Sequence, residues 1–173
     1  LVGPEAMDLA LGEGGLVVGG EVALGDVLHQ QGPLLIERLV QHRAADGAGG
    51  VVWVRTNITQ FTCAYPLTSS TTMGSGYETE VANGKHNLWG DKLVFIQPES
   101  EHSAATSCEG FALAGGRVTN FTSGQGLVLM KEVLYTISGK RLPVVFHIGA
   151  RALTSHSLNV HCGHDDVMSV ADC

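Results

Sequence analysis

The feature that most constrains the fold is an alternation of β-branched runs with helix-length segments in the second half of the chain. The runs "KLVFIQ" (92–97), "RVTNFT" (117–122) and "PVVFHIGA" (143–150) have the composition that is typical of buried strands. The segments that separate them, 101–113 and 127–139, predict helices. Strands that alternate with helices predict an α/β fold with a mostly parallel sheet and helices on both faces.

The first fifty residues have a different character, because glycines interrupt them repeatedly. Residues 33–42 carry an apolar stripe that predicts one amphipathic helix, and "AADGAGG" (44–50) predicts a linker or turn. Regular strands are predicted again at "VVWV" (51–54) and "CAYPLT" (63–68). We therefore expect a glycine-rich N-terminal segment of unknown role (1–50), followed by an α/β domain.

Charge and cysteine usage exclude several classes of function. The net charge is −7 with only 10 lysines and arginines, so we expect no nucleic-acid partner. No apolar stretch has transmembrane length, so we expect no membrane partner. None of the 4 cysteines forms a C-x-x-C pair, so this segment shows no zinc or iron–sulfur ligand motif. Free, mostly buried thiols in a reducing cytosol are the favoured interpretation.

Polar residues collect where the predicted strands end: Thr68, Glu101, residues 122–125 and Arg151. Ligands of parallel sheets bind at the carboxyl ends of the strands, so we expect these side chains to converge at one edge. By its position alone, Glu101 is an acid that suits a helix N-terminus, and ligand binding is the alternative. The glycine-rich stretch "GEGGLVVGG" has neither nucleotide-binding spacing, so a dinucleotide fold gains little support.

Four ordered motifs resemble a known family. They are "YPLTSSTTMG" (65–74), "PESEHSAATSCEGFALAGGRVTNFTSGQGLVLM" (98–130), "LPVVFHIGARALTSHSL" (142–158) and "GHDDVM" (163–168). Together they resemble the N-terminal domain of pyruvate:ferredoxin (flavodoxin) oxidoreductases, which are thiamine diphosphate enzymes acting on 2-oxo acids. The resemblance implies that residues 51–173 have the pyrimidine-binding fold of thiamine enzymes.

The resemblance also implies roles for single residues. Glu101 matches the glutamate that hydrogen-bonds N1′ of the cofactor's aminopyrimidine, and is the expected catalytic residue. Thr68 matches a threonine near the substrate carboxylate, and Arg151 matches the arginine that pairs with that carboxylate. The other expected cofactor contacts are Pro66, Ser123 and Gln125.

The chemistry of thiamine enzymes agrees with these residue types. The cofactor's own 4′-imino group removes the C2 proton, and a glutamate at N1′ promotes that tautomer by sharing a proton with the ring. Such a carboxylate must be partly buried for the interaction to be strong, which would explain Glu101 at this junction. An arginine fork can pair bidentately with the planar carboxylate of a 2-oxo acid.

The family membership would imply further groups and partners. The expected cofactors are thiamine diphosphate, with Mg²⁺ and [4Fe-4S] clusters held by other domains or subunits, and coenzyme A as co-substrate. The expected partners are the diphosphate-binding domain or subunit, ferredoxin or flavodoxin, and a 2-oxo acid, with pyruvate favoured. We expect a cytoplasmic homodimer or hetero-oligomer. The chain ends in mid-pattern at Cys173, so a fragment of a longer polypeptide, inactive alone, is expected.

Two alternatives remain open. One is a non-catalytic assembly domain of the same fold. The other, less favoured, is a metallohydrolase, because histidines and aspartates gather near the end of the chain, at His147, His156, His161, His164, Asp165 and Asp166. Their spacing is not a standard ligand pattern for one helix face.

The chain also departs from the family pattern. Ser69 replaces a proline, His102 replaces a smaller residue, and residues 1–58 lack the family's Asp-Gly-Asn opening and alanine-rich helix. These departures leave the identity of the substrate open.

Overall fold

The structure is a computed structural model that describes residues 15–18, 46–154 and 159–173. Its elements, in chain order, are β1 (Gly15–Val18), α1 (Gly47–Ile58), β2 (Phe61–Cys63), α2 (Thr71–Ala82), β3 (Val94–Ile96), α3 (Glu101–Leu113), β4 (Val118–Thr122), α4 (Gly124–Leu129), α5 (Lys131–Gly139), β5 (Val144–Gly149) and α6 (Asp165–Met168). The helix predicted at 33–42 lies outside the described residues.

The strands form one sheet with the order β1-β5-β4-β2-β3. Strands β2 to β5 pair in parallel, and β1 pairs with β5 antiparallel. Apolar cores lie on both faces of the sheet. The larger core packs α3 and α5 against Phe61, Val118 and Phe146, and the smaller core packs α1 and α2 around Phe121. The predicted α/β fold with a mostly parallel sheet is confirmed.

The prediction of a strand at "VVWV" is wrong, because these residues lie inside α1. The backbone N–H of Gly49 donates to Asp46 Oδ1 at 2.7 Å, which caps the helix. Val51 and Val52 then pack on the smaller core. A short apolar run fits a strand and a buried helix equally well, and here the Asp46 cap favours the helix. The predicted linker or turn at 44–50 is likewise wrong over residues 46–50, which hold this cap and the first turn; residues 44 and 45 lie outside the described part.

Strand β2 is shifted from its predicted position at 63–68 to Phe61–Cys63. Pro66 lacks an N–H group, and the residue before a proline disfavours helical backbone. Beyond it, the carbonyl of Leu67 accepts from the N–H groups of Ser70 and Thr71, which starts the turn into α2. Thr68 therefore lies in the connection between β2 and α2.

Two other elements differ from the sequence prediction. Strand β3 was expected to be buried, but it is an edge strand in the described part of the sheet, with Val94 42% and Ile96 46% exposed. The helix predicted at 127–139 is two helices, α4 and α5, which meet at the buried Met130. The helix predicted at 101–113 is confirmed as α3.

The four cysteines are free, as expected. Cys63 and Cys108 are buried, Cys173 is half-buried and Cys162 is exposed, so the expected burial holds only for part of the set. Burial raises the pKa of the Cys108 thiol to about 12. Within the described ranges, no helix is long and apolar enough to cross a membrane.

A buried polar pair joins α1 to β5. Arg55 Nε donates to Nε2 of His147 at 2.6 Å, and His147 is only 5% exposed. Burial, and then the charge of Arg55, lowers the pKa of His147 to about 3. Burial lowers the pKa of Arg55 to about 10, so at neutral pH a charged guanidinium donates to a neutral imidazole.

This pair predicts an acid dependence of stability. The unfolded histidine takes up a proton below its ordinary pKa of 6.5, whereas the folded one does so only near 3. The free energy of unfolding should therefore fall as the pH falls between these values, by up to about 1.4 kcal/mol per pH unit. In His147→Gln, which keeps an acceptor for Arg55, this contribution should be missing. Urea unfolding at a series of pH values measures the difference. The exposed His86→Gln is the control, and a His147→Gln slope like that of the wild type would contradict the prediction.

Candidate functional site

The predicted site residues follow the carboxyl ends of four parallel strands. Thr68 follows β2, Glu101 follows β3, Ser123 and Gln125 follow β4, and Arg151 follows β5. Helix α4 is the meeting point, because its first turn contacts both Glu101 and Arg151.

Glu101 is the first residue of α3 and is half-buried. Its side chain lies against Gly126, where an added Cβ would be 2.6 Å from Glu101 Cγ and 3.0 Å from Oε1. The same Cβ would be 2.3 Å from Leu67 Cδ1, so any other residue here would force the Leu67 or Glu101 side chain to move. The Glu101 carboxylate has no hydrogen bond or ion pair with the part of the chain that the structure describes. Helix α3 is capped instead by Ser100, whose Oγ accepts from Ser103 N–H at 3.2 Å.

Arg151 is a buried cation, only 2% exposed. Its Nη2 donates to Gln125 Oε1 at 3.3 Å. Its Nε and Nη1 are buried and have no hydrogen-bond partner among residues 15–18, 46–154 and 159–173. A buried charged group whose N–H donors lack hydrogen-bond partners costs free energy. A bound anion that accepts from Nε and Nη1 would therefore stabilise Arg151 in this position.

Gly124 lets the Arg151 guanidinium approach the backbone of α4. Its φ of +49° lies in the left-handed region, and an added Cβ would be 2.3 Å from Arg151 Nε. Any side chain at this position would therefore displace the guanidinium.

The polar groups of Ser123 and Gln125 are already engaged. Ser123 is fully buried, and its Oγ donates to the carbonyl of Gly149 at 2.6 Å. Gln125 accepts from Arg151 and donates through Nε2 to Thr154 Oγ1. Both residues hold the walls of the site together in this structure.

Pro66 and Thr68 are exposed residues of the connection between β2 and α2. The connection packs against the end of β5 through Ser69, whose φ is +83°. A Cβ on Gly149 would lie 2.5 Å from the Ser69 carbonyl oxygen. Because Gly149 is two residues before Arg151, this contact brings the Thr68 connection to the Arg151 end of the sheet.

The close approach at Gly149 predicts a large effect on stability. In Gly149→Ala the new methyl group meets backbone atoms of Ser69, which cannot rotate away. We expect a loss of about 1–3 kcal/mol in the free energy of unfolding, measured as the shift in the urea midpoint. Gly50→Ala is the matched control, because nothing lies within 4 Å of its added Cβ inside α1. It should gain up to about 1 kcal/mol, and equal midpoints for the two variants would contradict the packing argument.

The described histidines and aspartates that were considered for a metal site lie apart from one another or form hydrogen bonds within the protein. His147 pairs with Arg55, and the Asp166 carboxylate accepts backbone N–H groups. His156 lies outside the described residues. Among those that are described, no three His, Cys, Asp or Glu side chains are arranged to hold a metal ion.

A cavity in the described part of the chain lies away from the predicted site residues. Its volume is about 560 Å³, and it lies between α1, α2 and the loop that follows α2. Part of its polar lining is internally paired: Lys85 Nζ lies 3.2 Å from Glu80 Oε2 and donates to Thr56 Oγ1 at 2.8 Å. Size alone therefore does not make this cavity the functional site.

His102, which replaces a smaller residue of the family pattern, places its Nε2 at 3.6 Å from Glu132 Oε2 on α5. Sequence reasoning named Ser123 and Gln125 as cofactor contacts but missed the packing role of their neighbours Gly124 and Gly126. It also missed the contacts of Asp166, which no local motif distinguishes from a metal ligand.

A family sequence model and the similar known proteins all point to the same family. The sequence model of "Pyruvate flavodoxin/ferredoxin oxidoreductase, thiamine diP-bdg" matches residues 54–173. Pyruvate-flavodoxin oxidoreductase of Klebsiella pneumoniae is 39% identical over 128 residues, which is 74% of this chain and 11% of that protein. Pyruvate:ferredoxin oxidoreductase of Moorella thermoacetica is 37% identical over 124 residues, 72% of this chain and 11% of that protein. The chain thus spans about a tenth of the length of these relatives.

A solved structure is also similar. It is the 2-oxoglutarate:ferredoxin oxidoreductase from Magnetococcus marinus with 2-oxoglutarate, coenzyme A and succinyl-CoA bound. The TM-score is 0.53 at 26% identity, and the match covers 65% of this chain and 18% of that one.

Proposed function

Because this chain belongs to the thiamine diphosphate-binding domain family of pyruvate flavodoxin/ferredoxin oxidoreductases, we propose that it binds the pyrimidine half of thiamine diphosphate in such an enzyme. The observation that carries the proposal is the pair of groups on either side of α4. A half-buried carboxylate without a hydrogen-bond or ion-pair partner among the described residues lies against Gly126. A buried guanidinium with two donors unpaired within the same residues lies against Gly124. The Glu101 carboxylate suits hydrogen bonding to a ring nitrogen of the pyrimidine, and the Arg151 guanidinium suits pairing with the carboxylate of a 2-oxo acid.

The residues present fit the cofactor. Glu101 would accept or share a proton with the pyrimidine ring nitrogen, and Gly126 leaves its side chain the space to do so. When bound, thiamine diphosphate supplies the carbon nucleophile and the electron sink for decarboxylation of a 2-oxo acid. Pro66, Ser123 and Gln125 complete the proposed cofactor pocket, Ser123 and Gln125 by fixing its walls.

Arg151 and Thr68 are the proposed substrate-binding residues. The Nε and Nη1 groups of Arg151 could bind the two carboxylate oxygens of a 2-oxo acid. Thr68 would add a hydroxyl from the connection after β2. Because every 2-oxo acid carries this carboxylate, Arg151 does not select among them. We propose pyruvate, which the names of the relatives support, and 2-oxoglutarate is the competing substrate.

The complete enzyme would need groups that other domains or subunits provide. We propose Mg²⁺ and the diphosphate site there, with [4Fe-4S] clusters, and coenzyme A as the acyl acceptor. Ferredoxin or flavodoxin would accept the electrons, and the assembly would be a homodimer or hetero-oligomer. A cytoplasmic location is supported by the free, buried thiols of Cys63 and Cys108.

The proposed domain is the segment 51–173, extended at its start to Asp46. The extension follows from α1, because its cap and first turn precede residue 51. The role of the glycine-rich segment before it stays open.

The test uses the whole protein that contains this chain. Reduction of methyl viologen is followed with thiamine diphosphate, Mg²⁺ and coenzyme A, and with pyruvate or 2-oxoglutarate as substrate. We expect activity that requires thiamine diphosphate and a higher kcat/KM for pyruvate. A preference for 2-oxoglutarate would correct the substrate only. Activity with neither acid would contradict the proposal and favour a non-catalytic assembly domain.

A further inference from the structure

Asp166 is a fully buried carboxylate whose hydrogen bonds all come from backbone groups in the described part of the chain. Its Oδ2 accepts from the N–H of Gly124 at 2.9 Å and from the N–H of Arg151 at 3.1 Å. Its Oδ1 accepts from the N–H of Val167 at 2.8 Å. A buried charge needs such partners, and these three N–H groups supply them.

Two of these three amides belong to residues that touch each other. The Arg151 guanidinium lies on Gly124, where an added Cβ would be 2.3 Å from Nε and 2.9 Å from Nη2. One carboxylate oxygen therefore fixes both the backbone that carries the guanidinium and the backbone on which it rests.

The segment around Asp166 holds the rest of the Arg151 loop as well. The N–H of Ala152 donates to the carbonyl of His161 at 3.0 Å, and the N–H of Leu153 donates to Asp165 Oδ2 at 3.3 Å. Gly163 packs against Ala152, where an added Cβ would be 2.8 Å from the backbone nitrogen. Residues 161–166 therefore support the loop that begins at Arg151.

We infer that Asp166 is a positioning residue for the substrate carboxylate, acting through Arg151. Because the Asp166 carboxylate bonds backbone N–H groups and not the guanidinium, Nε and Nη1 of Arg151 keep no partner within the described ranges and can bind a ligand. The inference rests on the proposed role of Arg151, and it assigns to the "GHDDVM" motif a task other than metal binding.

Asp166→Asn tests the inference. Asparagine has one acceptor oxygen, and as a neutral amide it accepts more weakly than a carboxylate. If this oxygen takes the place of Oδ2, the bonds to the N–H groups of Gly124 and Arg151 are weakened and the NH₂ group opposes the N–H of Val167; in the other orientation Gly124 and Arg151 both lose their acceptor. In the whole protein we expect KM for the 2-oxo acid to rise at least about tenfold. The thiamine diphosphate concentration for half-maximal activity should change less than about twofold. Asp172→Asn is the matched control, an exposed acid of the same segment that pairs with Lys131.

Two further measurements separate positioning from a purely structural role. In an Arg151→Lys background, Asp166→Asn should add less than about twofold to KM, because its effect passes through Arg151. Independently of activity, amide hydrogen exchange should accelerate at least about tenfold at Gly124 and Arg151, while α3 keeps its protection. If Asp166→Asn does not fold, Asp166→Glu, which keeps the charge but moves it by one methylene, is measured in the same way.

The outcomes distinguish the two proposals. A wild-type protein without activity towards any 2-oxo acid would end the proposed function and this inference with it. An active wild type, together with a variant of unchanged KM or unchanged exchange at Gly124 and Arg151, would overturn the inference alone. Multiplying effects in the double variant would also overturn it, because Asp166 would then act independently of Arg151.

Discussion

Replacing Glu101 by glutamine is expected to lower kcat for 2-oxo acid-dependent acceptor reduction by a factor of about 10²–10⁴. Glutamine has nearly the same size and can still pack against Gly126, but it cannot share a proton with the pyrimidine ring. Ser100 provides the cap of α3, so the helix should be retained. The measurement is the steady-state rate of the whole protein at saturating thiamine diphosphate.

The matched control is Glu99→Gln, two residues earlier in the same connection. Glu99 is an exposed acid whose carboxylate bonds Ser103 Oγ, and its replacement should change kcat by less than about twofold. If Glu101→Gln were as active as the wild type, Glu101 would be only a favourable charge at a helix N-terminus, and the proposed site would be wrong.

Arg151→Met is the second change with a large expected effect. It removes the guanidinium proposed to bind the substrate carboxylate and keeps an unbranched apolar chain. Truncating one partner of a buried charged pair costs about 2–5 kcal/mol, so kcat/KM for the 2-oxo acid should fall by a factor of about 30 to 4000. The loss should appear mainly in KM, whereas the affinity for thiamine diphosphate should be retained.

Stability gives a second check on Arg151. Without ligand, Nε and Nη1 are buried donors with no partner in the described residues, so methionine should leave the thermal midpoint unchanged or raise it. The exposed Arg141→Met is the control for loss of one positive charge. A strongly destabilised Arg151→Met with unchanged KM would assign Arg151 to the fold instead of the substrate.

The sheet could be predicted from sequence where strands were bounded by clear helices. Helix α3 was found with its bounds because Ser100 and Glu101 mark its start and glycines mark its end. The segment "VVWV" was assigned to a strand because four apolar residues fit either structure, and the Asp46 cap, with Val51 and Val52 packed on the smaller core, makes it a helix. The exposure of β3 could not be predicted from the sequence either, because the position of a strand at the edge of the sheet depends on the strand order and not on the strand's own residues.

The candidate site was less accessible to sequence reasoning than the fold. Strand ends predicted that Glu101 and Arg151 would face the same edge of the sheet. The two glycines that these side chains pack against could not be predicted. Gly126 lies close to Glu101 and Gly124 lies close to Arg151, and no local sequence pattern indicates either contact. Asp166 was considered only as a metal ligand, because its three backbone partners lie in α4, in α6 and at the end of β5.

The most direct test of the central claim is the exchange rate of the C2 proton of thiamine diphosphate bound to the whole protein in D₂O, read by NMR after acid quench. The account predicts fast exchange in the wild type, and exchange slower by a factor of at least about 10² in Glu101→Gln. Equal exchange rates in the two proteins, with the cofactor bound in both, would contradict the assignment of Glu101 as the residue that activates the cofactor.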